Sequence, residues 1–311
     1  MALWAALVLV VAVAVSVGTV WISPGTVVRL AGWRLGLWAR PDVPASVEVI
    51  LFQLRLPRVA LGMLVGAGLA VSGAVFQALF RNPMADPAII GVSSGAALGA
   101  VLAILGGAGT VLAGLGVSVA AFAGAMAVAV AVYRLARIGP SVQVATLLLA
   151  GIAMAAVISA VISLVMAFAG EQVRSIYFWL LGSVGARGWR PLAAATPLIA
   201  AGAGLALLAR GDLNLMALGE ERAVQLGVDV ERFKRRMLAT GALVTGAAVS
   251  VAGVIGFVGL MTPHILRLVL GADHGRLLPA TLVGGAAFMV LADLAARTVL
   301  SPEEIPVGAV T

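Results

Sequence analysis

The sequence has no cysteine, which excludes disulfides, thiolate zinc sites and a cysteine nucleophile. Charge is nearly as scarce. Only 11% of the 311 residues are charged and 5% are aromatic, where soluble domains carry about a quarter charged residues. Such a chain lacks the polar surface to face water on every side. Catalytic signatures are missing too: no Gly-rich loop ends in Gly-Lys-Ser/Thr, and neither a paired-histidine metalloprotease motif nor Gly-x-Ser-x-Gly occurs. The chain is therefore expected to be no enzyme and to hold no cofactor or metal of its own.

What is present is apolar. Hydrophobic residues make up 62% of the chain, the mean hydropathy is +1.13, and charge-free runs cover 1–28, 59–80, 87–133, 138–170, 191–209, 237–266 and 277–292. A helix crossing a ~30 Å hydrocarbon core needs about 20 apolar residues, so the run at 87–133 reads as two spans around a turn at Gly106–Gly109. The first run has no basic residues before it and no convincing cleavage site, and it reads as a span rather than a signal peptide. The pI of about 11.3 and net charge of +7 do not indicate nucleic acid, because the basic residues fall in short loops between spans.

The fold class is an all-α polytopic membrane protein, a single transmembrane domain over 1–311. Helices are expected near 2–21, 58–80, 88–106, 111–133, 142–168, 191–209, 238–259 and 277–300, with short helical pieces at 175–181 and from Pro263 to about 271. Counting the second short piece gives nine crossings, and 305–311 reads as the start of a tenth whose remainder is largely missing. With the N-terminus inside, eleven basic residues fall on the cytoplasmic side and nine on the other, and the dense cluster at 210–236 favours this orientation. Gly62 and Gly66, and Gly91, Gly95 and Gly99, recur every fourth residue, as close helix packing requires. Gly253, Gly256 and Gly259 are spaced for one helix face, as packing residues or as a bend.

The loop at 212–236, DLNLMALGEERAVQLGVDVERFKRR, carries its own short helix, with Glu220 and Glu221 at the start and Gly227 at the stop. It reads either as an interfacial helix on the headgroups or as a knob gripped by a soluble partner. Arg55 and Arg58 flank Pro57 at the opposite mouth of a span. They either snorkel to the interface or pair with carboxylates of an extracytoplasmic partner. Arg297 is near the same face, where Asp293 is placed to satisfy it at i,i+4. Pro83 and Pro87 bend the turn segment at 80–100, and His264, after Pro263, is expected to be a hydrogen-bonded structural residue. Asp293 is the sole acidic residue inside the expected spans, which counts against a proton-coupled carrier.

Three strings, RLPRVALGMLVGAGLAVSGAVFQALFRNPMADPAIIGVSSGAALGA, MALGEERAVQLGVD and GVIGFVGLMTPHILRLVLGADHGRLLP, resemble the permease subunits of ABC importers for haem, ferric siderophores and cobalamin. The resemblance runs over nearly the whole chain, and its last ten residues, PEEIPVGAVT, look like the lead-in to that family's tenth helix. It implies a ten-helix subunit of the bacterial inner membrane, paired with a second copy, with two cytoplasmic ATPases that bind ATP and Mg, and with a periplasmic binding protein. Arg55, Arg58 and Arg297 match the family's periplasmic arginines, which pair with glutamates of the binding protein. Leu218, Gly219, Glu220, Glu221, Arg222, Ala223, Gln225, Leu226 and Gly227 match its ATPase-coupling segment. Val144 and Ala145 lie where some relatives place small polar gate residues, and their apolar identity departs from that pattern. The strings LGADHGRLLP and LADLAARTVLSPEEIPVG look closest to haem permeases, which makes haem the expected cargo.

Overall fold

The computed structural model describes residues 1–311 apart from 19, 140, 186, 302 and the side chain of residue 138. The chain forms α1 (Ala2–Ser16) and then α2 (Pro24–Arg34), which starts on Ser23: its Oγ accepts the Thr26 N–H at 3.1 Å, and Pro24 opens the first turn. Next, α3 (Ala45–Val49) continues through a π-helical stretch, Ile50–Arg55, into α4 (Leu56–Leu79), giving 35 continuous helical residues. The expected start near 58 was late because Glu48, Gln53 and Arg55 interrupt the apolar run without interrupting the backbone ladder.

After the turn, α5 (Val92–Leu105) bends by 103° into a 3-10 stretch, Ala108–Gly114, before α6 (Gly116–Ala136). A two-residue hairpin follows, β1 (Arg137–Ile138) against β2 (Ser141–Val142), antiparallel with Arg137 opposite Val142. Then come α7 (Val144–Phe168), α8 (Val173–Leu180) and α9 (Trp189–Leu208). The loop of special composition folds as α10 (Arg210–Ala217) and α11 (Glu220–Gln225). The chain closes with α12 (Val230–Ala252), α13 (Val258–Leu270), α14 (His274–Thr298) and α15 (Val307–Val310), the last within the segment read as the start of a tenth span.

Among the described residues, five helices are long and apolar enough to span a bilayer, and the bent α5 pair makes a sixth. The nine-crossing reading needs α1, α12 and α13 as well. With 15 and 13 residues, α1 and α13 reach about 22 and 20 Å, and α12 opens on a charged turn.

Two placements differ from expectation at α12. It begins at Val230 rather than 238, because Asp229 caps it through the Arg232 N–H at 3.1 Å and the basic cluster rides on its first turns. It ends at Gly253, whose φ of +74° no ordinary residue adopts readily. Gly253, Gly256 and Gly259 therefore do not share a helix face: residues 253–257 leave the helix, and the Ala252 carbonyl accepts the Ser183 N–H at 2.6 Å.

At the centre lies α4, with 78% of its most apolar stretch buried, whereas α7 has only 11% buried and stands at the periphery. The helices meet through small residues. A Cβ on Gly66 would overlap the Gly285 carbonyl of α14, and one on Gly99 would overlap the Ala120 carbonyl of α6, so both glycine series are packing surfaces. Between α4 and α12, Ser72 Oγ donates to the Gly241 carbonyl at 3.1 Å and meets Thr245 Oγ1 at 2.8 Å, an interhelical polar contact worth about 1 kcal/mol in an apolar bundle.

Candidate coupling and docking sites

Two helices join the two ends of the bundle. Arg58 lies in the first turn of α4 and Arg81 just past its end, while α14 starts beside α10 and ends at the arginines. At the end formed by α10 and α11, Leu213, Met216 and Ala223 are buried and fasten the pair to the bundle, while Leu218, Val224 and Leu226 are each more than half exposed. Glu221, Arg222, Gln225 and Gly227 share that exposed surface. The result is a short amphipathic knob with an apolar crest. Gly219 turns the chain between the two helices at φ +112°, in a region that excludes β-branched residues, and it sits beside the Arg81 guanidinium.

The knob is tied inward by a residue that sequence reasoning passed over. Lys234, the only lysine in the chain, is 5% exposed; its Nζ donates to Glu220 Oε2 at 2.7 Å and lies 3.5 Å from Glu231 Oε1. The second carboxylate oxygen of Glu231 accepts the Val142 N–H at 3.0 Å, two residues before Val144. One ammonium thus connects α11, α12 and the segment that starts α7. Of the expected gate residues, Val144 is half-buried against the core and Ala145 is exposed on the peripheral helix.

A second clasp holds α10 to α14. Asn214 Oδ1 accepts the His274 N–H at 2.8 Å and lies 2.8 Å from His274 Nδ1, while Asn214 Nδ2 donates to Asp273 Oδ1 at 2.7 Å. That bond, with the Gly275 N–H, holds the Asp273 carboxyl below its usual pKa. In the turn after α4, Asp86 caps Pro87–Ile90 through the Ala88 N–H at 2.8 Å, yet burial raises its pKa. Among the described residues His264 Nδ1 has no hydrogen-bond partner, contrary to the expectation of a bonded histidine.

At the opposite end, Arg55, Arg58 and Arg297 converge on one pocket of about 370 Å³. Their partners are internal. Arg55 Nη1 donates to the carbonyls of Val15 and Ser16 at 2.9 and 3.0 Å, its Nη2 to that of Val20, so it caps the C-terminus of α1. Arg58 Nε donates to both Asp293 oxygens at 3.0 Å, and its Nη1 to Glu304 at 2.9 Å. Arg297 donates to the Ala14 carbonyl and keeps Asp293 only at 3.7 Å. Asp293, expected to serve Arg297 along one helix, serves Arg58 across helices instead. Glu304 was not anticipated, since nothing in its spacing ties it to position 58.

The described residues thus form a bundle with several helices long and apolar enough to cross a bilayer, an arginine cluster at one end and an amphipathic knob at the other, as a polytopic membrane protein has. The chain belongs to the FecCD transport family, whose profile it matches over residues 6–311. It is 48% identical over 269 residues to the cobalamin import system permease protein BtuC of Halobacterium salinarum, covering 86% of this chain and 72% of that one. It is 44% identical over 265 residues to the hemin transport system permease protein HmuU of Yersinia pestis, covering 84% and 79%. A solved structure described as an inward-facing metal-chelate type ABC transporter superposes with a TM-score of 0.86 at 32% identity, covering 99% of this chain and 92% of the other. The chain is thus a permease of the ABC importer class, a class of membrane subunits that are not themselves enzymes.

Proposed function

We propose that this chain is the transmembrane subunit of an ATP-driven importer that carries a metal chelate of the tetrapyrrole type from periplasm to cytoplasm across the bacterial inner membrane. The family match carries the importer reading. The cargo is a corrinoid or a porphyrin: similar permeases are named for cobalamin and for hemin, and the haem preference drawn from the sequence has no specific support. Two copies form the working permease, with the largely unburied α7 assigned to the face between them.

Each copy offers the crest of Leu218, Val224 and Leu226 to a cytoplasmic ATPase that binds ATP and Mg. Gly219 and Ala223 set the angle of α11, and Lys234 carries its displacement to Glu231 and the start of α7, where Val144 and Ala145 form an apolar gate. ATP acts by favouring one of two states through its differential affinity for them. On the other face, Arg58 receives a glutamate of a binding protein in exchange for Glu304, which is 47% exposed, while Arg55 and Arg297 hold the frame on which Arg58 is presented.

The test is uptake into proteoliposomes holding the permease and its ATPase, with ATP on the α11 side and binding protein on the other, comparing cobalamin, hemin and a ferric siderophore. Uptake of a tetrapyrrole that requires both ATP and binding protein supports the proposal. Uptake of the siderophore alone overturns the cargo class, and uptake without ATP overturns the mechanism.

A further inference from the structure

Beside the arginine cluster, but separate from it, a cavity of about 880 Å³ opens between the π-helical stretch, the turn before α6 and the start of α9. Its volume lies within the range of about 300–1,000 Å³ typical of small-molecule sites. Its charged walls are Arg34, Arg187, Arg190 and Glu48, three guanidiniums against one carboxylate. Glu48 is already shared, 3.6 Å from Arg34 and 3.2 Å from Arg40. Among the described residues, Arg190 reaches only a backbone oxygen, the Ala113 carbonyl at 3.1 Å.

Arg187 has no hydrogen bond or ion pair among the described residues, although it is half-buried. It also lines an adjoining cavity of about 530 Å³ and so stands where both are reached. A guanidinium does not deprotonate in a protein, so this charge must be met by water or by an anion. Burial lowers the Arg187 pKa, the direction expected of a cation held without a counter-charge.

Apart from Gln53, the remaining side chains of the walls are mostly apolar. Phe52 lies under the Arg34 guanidinium at 5.5 Å, and its carbonyl accepts the Trp189 Nε1–H at 2.9 Å, which fixes the indole at the rim. Forked donors suit paired anionic oxygens.

We propose that this cavity binds an anionic oxygen ligand, a carboxylate or phosphate offering at least two oxygens, with Arg187 and Arg190 as its principal donors. Such oxygens have two sources at a membrane surface, a soluble polycarboxylate or an anionic lipid headgroup. The inference does not depend on the transport reading, because binding is measured without ATPase, binding protein or cargo.

The experiment uses the purified, delipidated chain in neutral detergent. Citrate is titrated by calorimetry, and retention of phosphatidylglycerol is compared with that of phosphatidylcholine after incubation with mixed micelles. The expected result is saturable binding of citrate or selective retention of phosphatidylglycerol, at least tenfold weaker in Arg187→Gln and in Arg190→Gln and weakened by salt. Citrate binding without lipid selectivity assigns the soluble source, and the reverse assigns the headgroup. Because Arg187 makes no bond among the described residues, the melting temperature of unliganded Arg187→Gln should equal or exceed that of the wild type, whereas a purely structural arginine would lower it. Absence of both binding events, or equal binding in the wild type and both variants, overturns the proposal.

Discussion

Lys234 Nζ meets Glu220 Oε2 at 2.7 Å, and through this contact a 5%-exposed lysine on α12 holds the amphipathic helix α11 against the bundle. The same ammonium is 3.5 Å from Glu231, whose other oxygen takes the Val142 N–H. Lys234→Met removes the cation from between two carboxylates. A charged hydrogen bond of this kind contributes about 1.5–3 kcal/mol, less where one partner is exposed, and Glu220 is 43% exposed. The expected loss is about 2 kcal/mol in thermal unfolding in detergent, with ATP turnover in the assembled complex less tightly linked to uptake. Unchanged stability together with an unchanged ratio of uptake to hydrolysis would remove Lys234 from the relay.

Gly219→Val places a β-branched residue at φ +112° and brings its side chain toward the Arg81 guanidinium. Since α11 is anchored chiefly by Ala223 and Glu220, the helix should re-aim without unfolding the spans. Membrane insertion should match the wild type, and ATPase recovered by affinity purification should fall about tenfold, a change of about 1.4 kcal/mol. Full recovery would count against α11 as the gripping element.

Arg58→Ala leaves Asp293, 3% exposed, without its principal cation. Breaking a buried pair from one side costs about 3–5 kcal/mol, so the variant should melt far below the wild type, and Arg58→Ala with Asp293→Asn should recover much of the loss. Glu304→Gln, in contrast, frees Arg58 Nη1 at small structural cost and should tighten binding-protein association several-fold, most at low salt. Equal affinity with and without Glu304 would exclude Arg58 as the exchanging arginine.

The two loop aspartates should impose opposite pH dependences. Burial raises the Asp86 pKa, so its protonated form is favoured in the folded state; that contribution is present at low pH and is lost as pH rises through the raised value. Asp86→Asn should therefore match or exceed the wild type in melting temperature near neutrality and reduce the difference between about pH 4 and about pH 7. The Asn214 amide and the Gly275 N–H lower the Asp273 pKa, so its contribution is present above the ordinary carboxylate pKa and lost as pH falls through the depressed value. Asn214→Leu should flatten that acid limb and loosen α10 from α14. Melting curves across pH for both variants check the signs.

Gly66→Leu would drive a side chain into the Gly285 carbonyl, where the backbones of α4 and α14 touch. Overpacking costs about 1–3 kcal/mol where neighbours can move, and backbone on both sides cannot, so the upper end is expected. Gly62→Ala, one turn earlier, meets only side chains at 3.8 Å and beyond and should be nearly neutral in the same melting assay.

Much of the helical order was legible from charge-free runs, because apolar length and glycine spacing are local properties of a helix in lipid. The short helix at 173–180, expected near 175–181, and the loop helix α11 were legible from local apolar pattern and end residues, whereas α10, over Arg210–Ala217, was not set apart from its loop. Boundaries were misplaced where polar residues ride on a continuing helix, as at Glu48 to Arg55 and at Arg232 to Arg236. The glycines at 253 and 256 misled because spacing cannot distinguish a packed face from a positive-φ exit.

By itself, the sequence determined that this is a multi-span helical protein with little polar surface, that Gly66 and Gly99 permit close approach, and that the segment at 218–227 forms a capped amphipathic turn. These follow from side-chain type and from separations of a few residues. Only the tertiary structure decided which cation meets which carboxylate. Asp293 had a cation within one turn at Arg297 and took Arg58, 235 positions away, because the antiparallel packing of α4 on α14 brings the Arg58 guanidinium to the carboxylate with both oxygens in reach. The same holds for Lys234 with Glu220, for Asn214 with His274, and for Arg187, left without a partner among the described residues where segments distant in the chain meet around one cavity.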